Sequence, residues 1–155
     1  SEVISDDRNK KFDDEMFSLI KQIAQKEKIT NREARQREEV KEALVGMYIK
    51  RNNNPNGNGS GLVNGDPSLE KYILSKEISF DDVSSILIAS DGLEIQGKLI
   101  SDSKFRDYLY NTFNNEGLKK IIKDKKDSED KDPDWKHIRY KHSDDATAIF
   151  LNFHA

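Results

Sequence analysis

The sequence predicts an α+β fold: a small, mainly antiparallel sheet packed against helices. Three observations predict it. Two short apolar runs, Ile86-Leu87-Ile88-Ala89 and residues 146–153 (ATAIFLNF), are flanked by aspartates and turn residues, the pattern of core strands. Other stretches repeat apolar residues at helical spacing. A Gly/Asn-rich segment separates a helical opening from the strand-bearing remainder. A length of 155 residues fits one domain. Within it the expected parts are a helical hairpin at 12–51, a flexible loop at 52–66 and an α+β part at 67–153.

The chain is 35 % charged, yet its net charge is only −3. With no strong basic stripe, a nucleic-acid partner is not expected. No apolar segment is long enough to span a bilayer and no signal-peptide pattern opens the sequence, so no membrane partner is expected either. Cysteine is absent, which excludes disulfides, thiolate chemistry and zinc–thiolate sites. That is compatible with a reducing, cytoplasmic location. A metal in this chain would be held by carboxylates, histidines or backbone oxygens.

Residues 1–11 read as an exposed lead-in. Phe12, Met16, Leu19, Ile20 and Ile23 then mark a first helix, with Asp13, Asp14 and Glu15 well placed for its dipole. Thr30-Asn31-Arg32-Glu33 is a capping-box pattern and predicts a second helix, expected to run on to Arg51. Its narrow apolar stripe is Val40, Leu44 and Met47, with Tyr48 at its margin. Residues 52–61 (NNNPNGNGSG) are loop-forming. They lack the preceding strand and the Gly-Lys-Ser/Thr of a phosphate loop, so they read as a surface connection. Asp66-Pro67 supplies a cap and a first-turn proline for a short helix with Leu69, Tyr72 and Ile73 on one side.

Ile78 and Phe80 alternate with polar neighbours, which predicts a brief strand leading into the central run. Residues 86–89 form an unbroken apolar strand, expected to be buried on both faces. It stops at Ser90, Asp91 and Gly92, with the glycine permitting a tight turn. After an irregular segment, Phe105, Tyr108, Leu109 and Phe113 predict a helix, and Leu118, Ile121 and Ile122 another. Residues 123–134 are dense in both charges and read as a solvated helix end and loop. Residues 135–142 (WKHIRYKH) fit an edge strand or an ordered loop, with Trp135 anchored on the core.

The functional signal lies at the strand ends. Asp91 follows one core strand and Asp144-Asp145 precede the other, so an antiparallel pairing brings Asp91 and Asp144 together. Carboxylates there are suited to hard divalent ions such as Mg²⁺ or Mn²⁺, although two alone hold such an ion weakly. The alternative is that both aspartates cap turns, where Asp is favoured in any case. His137 and His154 read as surface or turn residues, and no histidine triad is formed by their spacing. His142 lies within reach of a site at the strand end, although a turn role is the plainer reading. Arg139 and Lys141 near the same end are suited to attracting a phosphate dianion, or simply to a charged edge.

The segment SILIASDGLE, followed later by HSDDATAIFLNF, resembles the C-terminal half of the metal-dependent (type 2C) protein phosphatases. In that family a hydrophobic strand ends in Ser-Asp-Gly, and a late Asp-Asn/Asp-x-Thr-Ala motif opens the final strand. The matching positions here are Ser90-Asp91-Gly92 and Asp144-Asp145-Ala146-Thr147-Ala148. The likeness runs over residues 52–153 and includes NNNPNG with LVNGDPSLEKYI. It implies a partial phosphatase-like sandwich in which Asp91 and Asp144 are Mn²⁺ or Mg²⁺ ligands and Asp145 orients Asp144. The implied activity is hydrolysis of a phosphoserine or phosphothreonine ester by metal-bound water. A phosphoprotein would then be the substrate.

The resemblance is incomplete. The family's remaining ligands lie in an N-terminal half, in a Glu-Asp and a strand-borne Asp-Gly. Asp6-Asp7 and Asp13-Asp14-Glu15, in a lead-in and a helix start, are not their counterparts. The glycine-rich residues 57–61 also stand where related sequences place bulkier side chains. A partial domain, inactive alone, is therefore expected, and with it an exposed apolar sheet edge or face open to the missing half or another protein partner. The competing expectation is a non-catalytic regulatory or protein-binding module that keeps the phosphatase-like fold. In either case no residue of this chain is assigned as a catalytic nucleophile.

Overall fold

The computed structural model describes residues 3–153 except 5–7, 53–58, 62, 82, 96, 99 and 101. The chain divides into two compact units. A helical unit comprises Ile4–Lys76 with Asp134–Tyr140, and a sheet unit comprises Glu77–Pro133 and Lys141–Ala155 with Ser1–Val3.

In the helical unit, α1 (Lys10–Glu27) buries Phe12, Met16, Ile20, Ile23 and Ala24, the stripe its spacing predicts. It closes at Lys28, whose φ of 57° is the left-handed position that commonly ends a helix. The capping box forms as expected: Thr30 Oγ1 accepts from Glu33 N–H, and Glu33 accepts from Thr30 N–H. Those hydrogen bonds also hold the Glu33 carboxyl below its usual range. The helix it starts is only α2 (Asn31–Ala34), however, and α3 (Glu38–Arg51) begins after a break. Ala34 and Val40 explain the break. Both are fully buried, yet six positions along one continuous helix would leave them about a third of a turn out of phase. A new start at Glu38 turns both inward and lets Arg37 pair with Glu27 at 2.6 Å.

Val40, Leu44 and Met47 line the buried side of α3, while Tyr48 is exposed. Residues 134–140 are an ordered loop instead of a strand. Trp135 is buried as expected, its carbonyl accepting from Asn31 Nδ2 at 2.9 Å. Tyr140 packs on Phe17 and donates to Asp13 at 2.8 Å; burial and that carboxylate push its hydroxyl pKa upward. Residues 53–58 and Leu62 of the expected loop lie outside the described residues. Beyond them Asp66 caps Pro67–Tyr72, a 3-10 helix, by accepting from Ser68 N–H at 2.8 Å. Ile73 is exposed, not packed beside Leu69 and Tyr72.

In the sheet unit, β1 (Ser85–Ala89) pairs antiparallel with β2 (Ala148–Asn152), in the register Ala89↔Ala148 to Ser85↔Asn152. Beneath the pair, α4 (Ser103–Glu116) and α5 (Leu118–Asp130) meet through Phe105, Leu109 and Ile121, with Leu93 and Ile95 completing the cluster. Asp102 caps α4 by accepting from Lys104 N–H, and Gly117, at φ 78°, separates the two helices. The small antiparallel sheet against helices is therefore as expected.

Three expectations are corrected in this unit. First, β1 is not buried on both faces. Leu87 and Ala89 pack on the core, whereas Ile88 is 56 % exposed. A two-stranded sheet with helices on one side leaves its other face open. Its cross-strand partner Ile149 is 55 % exposed and Leu151, opposite Ile86, is also exposed. Second, Ile78 and Phe80 form no strand: alternation gives them the period, but no neighbour among the described residues supplies a ladder. Phe80 instead meets Phe153 edge-on at 5.3 Å. Third, residues 123–134 are not simply solvated. Helix α5 continues to Asp130, and Lys125, Glu129 and Asp132 are buried.

Candidate functional site

The site is built outward from the last sheet pair, Ala89↔Ala148. One step beyond it, Ser90 N–H donates to Thr147 O at 2.9 Å, and Thr147 N–H donates to Ser90 Oγ at 3.0 Å. Ser90 Oγ also lies 3.3 Å from Asp145 O. Gly92 continues the close approach. A Cβ there would stand 1.9 Å from Asp145 O, so only a residue without one fits. Its φ is not in the left-handed region, so the glycine serves close packing and not the freedom of a tight turn.

These contacts bring Asp91 and Asp144 to the same end of the sheet. Asp91 opens the 3-10 turn Asp91–Leu93, whose buried Leu93 pins the turn to the core. The Asp91 side of this turn faces solvent. Asp144 Oδ1 accepts from Lys141 Nζ at 2.6 Å and from Asp145 N–H at 2.8 Å. The Lys141 hydrogen bond, chiefly, holds the Asp144 carboxyl below the usual carboxylate range, helped by the Asp145 N–H and the Lys125 charge. In turn the Lys141 ammonium pKa is raised by its bond to Asp144 and by the charges of Asp145 and Asp91. One ammonium thus senses all three carboxylates.

Asp145 reaches Asp144 through its backbone N–H, which orients that carboxylate. His142 faces α5, its Nε2 3.8 Å from Asp130 Oδ1. Arg139 stacks over Trp135 in the helical unit at 5.3 Å. His137 belongs to the helical unit, and His154 and Asp6-Asp7 lie outside the described residues.

The donor chemistry of Asp91 and Asp144 fits a hard divalent cation: Mg²⁺ is commonly held by one or two carboxylates, with waters and phosphate oxygens filling the shell. Among the described residues no group of three or more His, Cys, Asp or Glu is arranged to hold a metal. Two carboxylates alone do not make a closed coordination shell.

Sequence reasoning missed Lys125, whose buried ammonium donates to Asp144 O at 3.0 Å. The signal was its spacing: Ile121, Lys125 and Glu129 continue one face of α5 at intervals of four. No helix among the described residues is long and apolar enough to cross a membrane. Comparison with family models, curated proteins and solved structures found no match.

Proposed function

We propose that this chain is the C-terminal part of a metal-dependent protein serine/threonine phosphatase, contributing Asp91 and Asp144 as Mn²⁺ or Mg²⁺ ligands and incomplete alone. The observation that carries this reading is the shared sheet end: Ser90, just before Asp91, is hydrogen-bonded to Asp145 and Thr147, and Gly92, just after it, packs closely on Asp145 O. Two separate motifs of the resemblance thereby meet in space. The remaining ligands would come from the N-terminal half-domain that the resemblance does not find here, and a phosphoserine or phosphothreonine protein would be the substrate. The absence of cysteine fits a reducing, cytoplasmic setting.

Manganese titration of the purified chain tests it. The expected result is weak, saturable binding that Asp91→Asn and Asp144→Asn each abolish, with little or no turnover of a phosphopeptide. A chain whose thermal stability and amide spectrum ignore Mn²⁺ would end this reading.

A second reading is favoured by one observation, the exposed outer face at Ile88, Ile149 and Leu151. A non-catalytic module would use that face to bind a protein partner, and its binding would be indifferent to Mn²⁺ and to Asp91→Asn.

A further inference from the structure

Asp144 is held by two lysines in different ways. Lys141 binds its carboxylate from solvent, with a side chain 58 % exposed. Lys125 binds its backbone from the interior: the side chain is 6 % exposed and Nζ donates to Asp144 O at 3.0 Å. Glu129, equally buried one turn further along α5, lies 3.5 Å from the same ammonium.

A buried ion pair is a costly way to fill a helix face. Apolar side chains of similar size often stabilise the same core as well or better, so burial energy alone does not account for this pair. Hydrocarbon at position 125 would cover Ile121 and its neighbours but would leave Asp144 O without this donor. The two lysines also differ in how readily they yield. An exposed ion pair between neighbours in sequence contributes little and is screened by salt. A desolvated ammonium fixed by a carboxylate and a carbonyl is screened much less.

We propose that the Lys125–Glu129 pair is a positioning latch, which ties the main chain at Asp144 to α5 and so holds Asp144 at the sheet end that also carries Asp91. The purpose assigned to the latch rests on reading Asp91 and Asp144 as a shared cation site; the tether itself rests only on the Lys125 contacts. Lys125 is a positioning residue: it acts through the backbone of Asp144, while Lys141 is the exchangeable occupant that a divalent ion displaces.

The test compares the full chain with Lys125→Met, Lys125→Arg and Glu129→Gln. Amide hydrogen exchange is read at Asp145 and Thr147, whose N–H groups are bonded within the site, against the amides of α4. In Lys125→Met the two site amides are expected to exchange about 10-fold faster relative to α4, the consequence of losing one charge-assisted hydrogen bond. Mn²⁺ affinity is expected to weaken about 10–100-fold, as for loss of a group that orients a ligand. Lys125→Arg should restore much of both.

Site and α4 amides accelerating equally would show a merely structural lysine and overturn the latch. Unchanged site exchange with unchanged Mn²⁺ affinity would overturn it too, leaving the cation reading intact. Conversely, selective acceleration in a chain indifferent to Mn²⁺ would support the latch and sink the cation reading. Should Lys125→Met not fold, Glu129→Gln reads the same two amides, with the same outcomes.

Discussion

Ser90 and Thr147 extend the β1–β2 ladder by one pair in which a side chain stands in for a main-chain acceptor. Thr147 N–H donates to Ser90 Oγ at 3.0 Å, where a regular ladder would use the Ser90 carbonyl. That carbonyl is thereby released to accept from Leu93 N–H at 3.1 Å, which closes the turn that begins with Asp91. One hydroxyl therefore lets the strand pairing and the turn coexist at a single residue.

Ser90→Ala removes that stand-in acceptor. Thr147 N–H then loses its partner, or recaptures the Ser90 carbonyl and undoes the Asp91 turn. The expected cost is about 1–3 kcal/mol in urea denaturation, the usual penalty of an unpaired donor. Amide shifts should be confined to the end of the sheet at Ser90 and Thr147. A loss below about 0.5 kcal/mol, within the range of ordinary surface changes, would mean that the hydroxyl is dispensable.

Gly92→Ala and Gly46→Ala are the same substitution with opposite expected signs. At Gly92 the new methyl meets Asp145 O at 1.9 Å and its carbonyl carbon at 2.7 Å, both main-chain atoms. Overpacking of that kind costs about 1–3 kcal/mol and pushes the Asp144 loop from β1. At Gly46, inside α3, nothing lies within 4 Å of the new methyl. There the change should stabilise by about 0.5–1 kcal/mol through helix propensity and a less flexible unfolded chain. Thermal denaturation of the two variants checks both signs.

The pH dependence of stability should narrow in Tyr108→Phe. Tyr108 donates to Asp124 at 2.7 Å, and Lys120 donates to the same carboxylate. Hydrogen bonds from Lys120 and then Tyr108 hold the Asp124 carboxyl below the usual range. A depressed acid stabilises the fold above its unfolded value, and the contribution is lost as pH falls through the folded value. Burial, then the Asp124 hydrogen bond, pushes the Tyr108 hydroxyl up to about 12. A raised phenol stabilises the fold below its unfolded value, and that contribution is lost as pH rises towards about 12. Phenylalanine removes the alkaline edge and weakens the acid one. Denaturation curves across pH that superimpose for both proteins would contradict this.

Much of the fold was legible because apolar spacing carries it. The stripes of α1, α3 and α4 and the run at Ile86–Ala89 name their own elements, and the mirrored order of Asp91 and Asp144 anticipates the antiparallel pair. What escaped depends on neighbours. The capping box announces where a helix starts but not that it stops at Ala34, because no glycine or proline marks the stop. Ile88 belongs to an apolar run, and run composition does not tell the face that packs on α4 and α5 from the face that is left exposed. Lys125 and Glu129 lie in a charge-rich segment, so composition places them in water. Their four-residue spacing from Ile121 was the sole contrary sign.

The outer face of the sheet is expected to bear little of the folding energy. Ile88 and Ile149 are cross-strand partners, both more than half exposed, while Leu87 and Phe150 occupy the alternate positions. Phe150 stacks on Phe113 at 4.7 Å, and Phe105 beneath is 2 % exposed. Phe105→Ala should therefore cost about 3–5 kcal/mol. Ile88→Lys combined with Ile149→Glu should change stability by no more than about 0.5–1 kcal/mol, since opposite charges across the pair replace an exposed apolar contact. The double variant also separates the two functional readings. Under the phosphatase reading its Mn²⁺ binding matches that of the parent chain, because both substituted side chains lie on the exposed outer face. Under the binding-module reading, capture of a partner fails while the metal titration stays featureless in both proteins. Loss of Mn²⁺ binding in a double variant that remains folded would show the outer face to be part of the cation site, contrary to both.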